Sequence, residues 1–313
     1  VMLPSLYQPN IHARGEHVVP AVDLLIILIV TLLLLLQRWI LLKTSMRPFA
    51  YRMMGYSDGD SLDRSAAYGV EKFCKYGWHF IAYVMLFCWG FMLLSESEWS
   101  VLKSGKLDNI WVGYPHSGDE KLRFKAFYIA QISWYAHGVV ESLMVDRSRS
   151  DFYLMLLHHV LAIALLTGSF WGNAHRVGVT VCVNQDVSDI LMYLSKMVQK
   201  AVAVPWLQGK GLHTYLIWQL LVVWWSTRIV LLGFMVTRCI AVLGPTGLIT
   251  PLGEKSDPLS SYLVAQLCVL LLLQVVWGLG LAKMCIDQLR TGSIFDFWHD
   301  NRPAAAASAA RAK

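Results

Sequence analysis

Seven apolar runs, each near the 20 residues a helix needs to cross a bilayer, dominate this chain of 313 residues. They cover about 22–42, 73–94, 127–145, 152–171, 176–197, 215–243 and 259–285. Lipid offers no hydrogen bonds to the backbone, so each run has to satisfy its own N–H and C=O groups, as a helix does. The fold class expected is an all-α polytopic membrane protein with about seven transmembrane helices. The chain is 56% hydrophobic and 15% charged, which excludes a soluble globule. It has no basic, aromatic-interleaved soluble face, so nucleic acid is not an expected partner.

The runs differ in kind. The first is nearly pure Leu, Ile and Val and carries no chemistry, so residues 21–43 read as an anchor outside a functional bundle. The other six carry His, Asp, Arg, Trp and Gly, and residues 73–286 read as one catalytic domain. Residues 44–72 read as a linker, and 1–20 and 287–313 as terminal segments. The low-complexity end 303–313 is expected to be disordered. A start at Val1 is what trimming of a longer chain would leave.

Net charge is +6, and the excess is asymmetric. Lys43, Arg47, Arg52, Arg64 and Lys72 fall on one side of a seven-span arrangement. So do Arg147 and Arg149, Lys200 and Lys210, and Arg290, Arg302, Arg311 and Lys313. The positive-inside rule makes that side cytosolic, with the N-terminus and the loops 99–119 and 244–258 lumenal. Lys121, Arg123 and Lys125 run against the rule and are expected to form an interfacial stretch before the third span. The six cysteines lie in or beside apolar runs, form no CxxC, and read as small buried hydrophobes.

Chemistry concentrates in two consecutive runs. His158 and His159 lie in the fourth, and Gln185-Asp186-Val187-Ser188-Asp189 in the fifth. Ionisable groups at membrane depth cost a few kcal/mol each, so they signal function unless they serve as polar glue between helices. At about 1.5 Å per residue, His158 lies roughly 9 Å and Asp189 roughly 12 Å inside the same boundary. The short turn Gly172-Asn173-Ala174-His175 makes the two runs neighbours, so the four groups are expected in one layer. Asp186 and Asp189, at i and i+3, share a face and cannot both ionise cheaply without a cation, an imidazole or a shared proton. Arg228 is the intramembrane cation available. A carboxylate that orients an imidazole makes it a better base or nucleophile. A layer that opens to the cytosol and to lipid fits acyl transfer from a soluble donor onto a lipid amine. His79, His137 and Glu141 read as helix-packing hydrogen bonds. Lys196 is open between snorkelling and phosphate binding.

At these residues the chain resembles the ceramide synthases of the TLC-domain family. Arg149-Ser150-Asp151-Phe152, five residues, then His158-His159 is that family's pattern. So is Asp186-Val187-Ser188-Asp189 followed by Leu194-Ser195-Lys196, in a form like that of fungal members, with Arg228 matching an arginine of the sixth span. The similarity runs from residue 111 to Lys196, and more weakly to the seventh run. It implies a six-helix barrel behind one anchor helix, in the endoplasmic reticulum membrane, N-terminus lumenal and C-terminus cytosolic. It implies N-acylation of a sphingoid base from fatty acyl-CoA, with no cofactor beyond that substrate and no metal. His158 is the expected acyl-carrying nucleophile, supported by His159, Asp186 and Asp189. Arg228, Lys196, Arg147 and Arg149 are the expected substrate-binding residues. Membrane lipids, a second copy of the chain or a small single-pass subunit are the partners implied. Gln185 stands where many members carry histidine, and the homeobox-like insert of many animal members is absent. Two rivals lack their motifs. A di-iron hydroxylase needs HxxxH boxes and a glycerolipid acyltransferase HxxxxD, and neither occurs. A non-catalytic family member, for lipid sensing, transport or translocon association, would not need the full His/His/Asp/Asp set.

Overall fold

The structure is a computed structural model that describes residues 20–57, 60–114, 116, 119–205, 207, 211–243 and 258–291. The expectations for both terminal segments and for the loop 244–257 fall outside these residues.

Helix α1 (Ala21–Leu41) passes through a π-helical turn (Leu42–Met46) into α2 (Arg47–Met54), giving one rod. Gly55 closes it at φ 79°, in left-handed space that an L side chain rarely enters. The apolar run predicts where lipid ends, not where the helix ends, so the rod continues past it. Likewise α3 (Arg64–Glu96) begins ahead of its apolar run, at an N-cap where the Asp63 carboxylate accepts from the Ala66 N–H at 2.7 Å. The short α4 (Val101–Ser104) and a 3₁₀ turn (Leu107–Trp111) lead to α5 (Asp119–Met144), α6 (Phe152–Trp171) and α7 (His175–Lys200). Helix α8 (Leu212–Trp224) runs through a π turn (Trp225–Leu231) into α9 (Leu232–Leu243), and α10 (Pro258–Thr291) follows.

Among the described residues five stretches are long and apolar enough to cross a membrane: Ala21–Met54, Arg64–Glu96, Phe152–Trp171, Leu212–Ala241 and Ser261–Thr291. Helices α5 and α7 have 26 residues each but turn polar groups inward: Gln131, His137 and Glu141 on one, Asn184, Asp186 and Asp189 on the other. Their low hydropathy records what they line. The chain is an all-α polytopic membrane protein.

The six rods after α1 close a ring. Around it run α3, α7, the α8–α9 rod, α10, α6 and α5, and α5 returns to α3. Helices α6 and α7 share a short turn, yet α7 packs most extensively on α3, and α6 on α5 and α10. The two helices do touch, as the short turn implies, but each has its main packing partner elsewhere.

Helix α1 lies outside the ring on α5, with Leu32, Leu33 and Leu36 turned outward. It is not without chemistry, as the sequence suggested. Buried Asp23 pairs with Lys125 at 2.8 Å, Ser133 Oγ donates to the Ile27 carbonyl at 3.1 Å, and Arg38 pairs with Glu141 at 2.9 Å. The basic triplet that ran against the charge rule belongs to the first turns of α5, and each member is engaged. Lys125 meets Asp23, Arg123 meets Glu96 at 2.8 Å, and Lys121 donates to Asn173 at 2.7 Å. Cysteines 74, 182, 239 and 285 are buried; Cys88 instead faces outward and Cys268 is half-buried.

Candidate functional site

A cavity of about 1400 Å³, its open mouth included, occupies the ring. His158 and His159 of α6 face Asp189 of α7 and Arg228 of the π turn across it. Arg149, Lys196 and His213 also line it. A second, mostly apolar space of about 690 Å³ is lined by Ala162, Leu166, Ala174, Val177, Cys239 and Leu263 among others. His158 lines both, and so stands between the cavity that holds the charged groups and the apolar one.

Both imidazoles are half-buried and framed by rings. Tyr135 lies 5.8 Å from His158 and 6.0 Å from His159, and Trp277 meets His158 edge-on at 5.4 Å. Nδ1 of each imidazole is enclosed without a hydrogen-bond partner. Neither ring touches Asp186 or Asp189 by a hydrogen bond. The carboxylates are held elsewhere, and the expectation that they orient the histidines directly is corrected.

Asp189 pairs with Arg228 at 2.5 Å. The guanidinium also donates to Ser188 Oγ, to the Gln185 carbonyl at 2.9 Å and to Gln274 Oε1 at 3.1 Å, and lies over Trp224. The π turn presents it: an inserted residue widens the helix locally, and Asn184 Nδ2 donates to the Thr227 carbonyl there at 2.7 Å. Asp186 is fully enclosed, accepts from Gln131 Nε2 at 3.0 Å on one oxygen, and has no partner on the other. The i,i+3 pair therefore splits, with one carboxylate matched by a cation and the other by an amide.

Of the expected phosphate-binding cations, Arg149 and Lys196 line the cavity and Arg147 does not. Arg149 makes a two-pronged bond to Asp151, both arms at 2.8 Å. Arg147 is exposed and turns back to the Leu143 carbonyl, because the chain bends between α5 and α6. Lys196 lies over Tyr76 and Tyr193.

The family model for the TLC domain matches residues 72–283, which contain every group described above. The chain belongs to the TLC domain family. It is 29% identical over 234 residues to ceramide synthase 3 of Mus musculus, covering 74% of this chain and 56% of that protein. It is 28% identical over 230 residues to ceramide synthase 5 of Homo sapiens, covering 72% and 53%. Over a shorter stretch of 85 residues it is 34% identical to ceramide synthase LOH2 of Arabidopsis thaliana, 27% of this chain and 28% of that protein. The chain thus spans about half the length of the first two relatives.

A buried ionic cluster joins His79 and Glu141, which the sequence singled out, to Lys75, Asp146 and Arg38, which it did not. Glu141 accepts from His79 Nε2 at 3.0 Å and from Arg38, and lies 3.3 Å from Lys75, which also pairs with Asp146. His79 Nδ1 meets the Lys75 carbonyl at 2.9 Å. His137, one turn before Glu141, does not bond to it; it stacks on Trp134 with both nitrogens unpartnered. The packing hydrogen bond expected of these residues is thus real for His79 and absent for His137. His79, Glu141 and Lys75 all line the cavity that holds the histidine pair. Lys75 has no counterpart in the sequence argument. Among the described residues no group of three His, Cys, Asp or Glu side chains could hold a metal ion.

Proposed function

We propose that this protein is a ceramide synthase, transferring a fatty acyl group from acyl-CoA to the amine of a sphingoid base. The observation that carries the reading is that His158 lines two cavities, one that also holds Arg149, Lys196, Asp189 and Arg228, and one walled almost wholly by apolar side chains. A thioester has that division: a phosphate-bearing head that stays in water and a chain that leaves it. Family membership and relatives named ceramide synthases support it.

In this reading the CoA head rests at the mouth against Lys196 and Arg149, and the acyl chain passes His158 into the apolar space. The enclosed Nδ1 of His158 leaves Nε2 as the attacking atom. Nε2 bonds to the thioester carbonyl carbon, the C–S bond breaks, and CoA leaves as thiolate. The amine of the sphingoid base then attacks the acyl-imidazole, the new C–N bond replaces the acyl–histidine bond, and the amine proton passes to a neighbouring base, for which His159 is placed. Arg228 and Asp189 hold the cavity wall and supply charge near the reacting carbonyl. The membrane would be that of the endoplasmic reticulum, with the mouth cytosolic, the N-terminus lumenal and the C-terminus cytosolic. Assembly with a second copy or a small single-pass subunit belongs to the same proposal.

The test uses the purified chain in lipid nanodiscs with a sphingoid base and a panel of acyl-CoAs, reading N-acyl product by mass spectrometry. His158→Ala should lose at least about 10²-fold of the activity while remaining folded. With acyl-CoA alone, the wild-type chain should carry an acyl mass on the peptide containing His158. A folded His158→Ala protein with near-wild-type turnover would overturn the assignment, and absence of any N-acyl product with every donor would favour a non-catalytic member of the family.

A further inference from the structure

A third cavity, of about 950 Å³, lies on the outer side of the bundle, between the first rod and α3. Its charge is one-sided: Arg38, Lys43, Arg47, Lys72 and Lys75 against a single acid, Glu71. Lys75 is committed to Asp146 and Glu141. Arg38, Lys43 and Arg47 leave capacity. Arg38 gives one arm to Glu141, while its Nε is enclosed with no partner. Lys43 and Arg47 are exposed and make no ion pair with a described residue; they lie over Trp39 at 4.2 Å and Tyr51 at 5.9 Å.

The local backbone gathers these groups. A π-helical turn spans Leu42–Met46, an element that recurs at functional sites and re-aims the side chains around it. Position then says what kind of ligand fits. Up to Leu36 the first rod shows an apolar exterior; Arg38 and Trp39, which stands 57% exposed, come next, and Lys43 and Arg47 follow. That order, apolar exterior, interfacial Trp, then cations, marks the headgroup level of a bilayer. Basic pockets between membrane helices at that level suit anionic headgroups.

We propose that this cavity binds the phosphate of an anionic phospholipid, held by Arg38, Lys43 and Arg47. A soluble phosphate has the same chemistry, but the cavity opens beside the outward apolar face of α1, where lipid chains run. A phosphate bonded to Arg38 Nε would fix the guanidinium whose other arm holds Glu141 in the wall of the central cavity. The lipid would clasp the first rod to the bundle. This site is independent of the acyl transfer proposed above.

The experiment is native mass spectrometry of the full chain in detergent, with dioleoyl phosphatidic acid and dioleoyl phosphatidylcholine as matched probes. Wild type should retain phosphatidic acid at least about tenfold more than phosphatidylcholine. Lys43→Gln and Arg47→Gln alter exposed side chains and should leave folding and Tm intact. Each should weaken phosphatidic acid binding about fivefold, and the double variant roughly 30-fold. Inorganic phosphate and free CoA are added as competitors and should leave the lipid adduct in place. Equal retention of the two lipids, full retention by the double variant, or displacement by either soluble phosphate would each overturn the proposal.

Discussion

His159 lies against the bare α-carbon of Gly138: a Cβ built there would stand 2.8 Å from Cε1 and 3.0 Å from Nδ1 of the imidazole. Both closest atoms belong to the ring itself, which has one torsion to spare and packs near Tyr135. Gly138→Ala is therefore expected to separate stability from turnover. Alanine within a helix is favoured over glycine by about 0.5–1 kcal/mol, so α5 itself gains. The displaced ring should cost turnover up to about 10²-fold, as misplacements near 1 Å do. Tm by nanodisc melting and kcat from initial rates check the two parts; unchanged kcat in a folded Gly138→Ala protein would show that His159 needs no fixed position.

The ion pair of Asp189 with Arg228 and the amide-held Asp186 predict unequal behaviour in conservative variants. Arg228→Met leaves Asp189 enclosed and unpaired, a change expected to cost about 3–5 kcal/mol. Arg228→Met with Asp189→Leu removes both charges and should recover most of that stability without recovering activity. Asp186→Asn keeps an oxygen for Gln131 and should retain Tm while turnover falls. Asp189→Asn should lose both. Equal melting of the two Asn variants would show that the carboxylates share one role.

What the sequence made legible was periodic and local. The apolar runs located each long helix, the His-His pair marked α6, and the i,i+3 aspartates marked a face of α7. What it hid depended on which helix lies beside which. A short turn between α6 and α7 makes them neighbours, but α7 packs mainly onto α3, so Asp189 shares a cavity with the imidazoles without bonding to them and Asp186 lines neither cavity. Arg38 and Glu141 are far apart in sequence and meet only because α1 packs on α5. No pattern in a Leu-rich run announces such a partner.

Gln185 presents a different test. Its side-chain amide is enclosed, neither polar atom has a partner, and it lines the apolar space beside His158. An enclosed unpaired polar group costs about 1–3 kcal/mol, so Gln185→Leu should raise stability by about that amount. Turnover should fall if the amide meets the acyl carbonyl in the loaded enzyme. Denaturation midpoints with and without a non-hydrolysable acyl-CoA analogue separate the two effects: the gain should shrink when the analogue is bound.

The apolar space predicts how donors are sorted by length. Ala162 is one helical turn from His158, about 6 Å away, and Ala174 lies past the far end of α6. If the chain threads this space, a phenyl ring at either site shortens it to a different degree. Ala162→Phe should reject medium and long donors alike, and Ala174→Phe only the longest. Each methylene denied its place costs about 0.8 kcal/mol, or about fourfold in kcat/KM. The head of the donor should respond to another region: Lys196→Gln at the mouth should raise KM for every acyl-CoA by a similar factor and leave the length profile unchanged. A panel of donors from short to very long, assayed on all three variants, checks the set. Should Ala162→Phe leave the profile fixed while Lys196→Gln alters it, the acyl chain follows a path other than the apolar space behind His158.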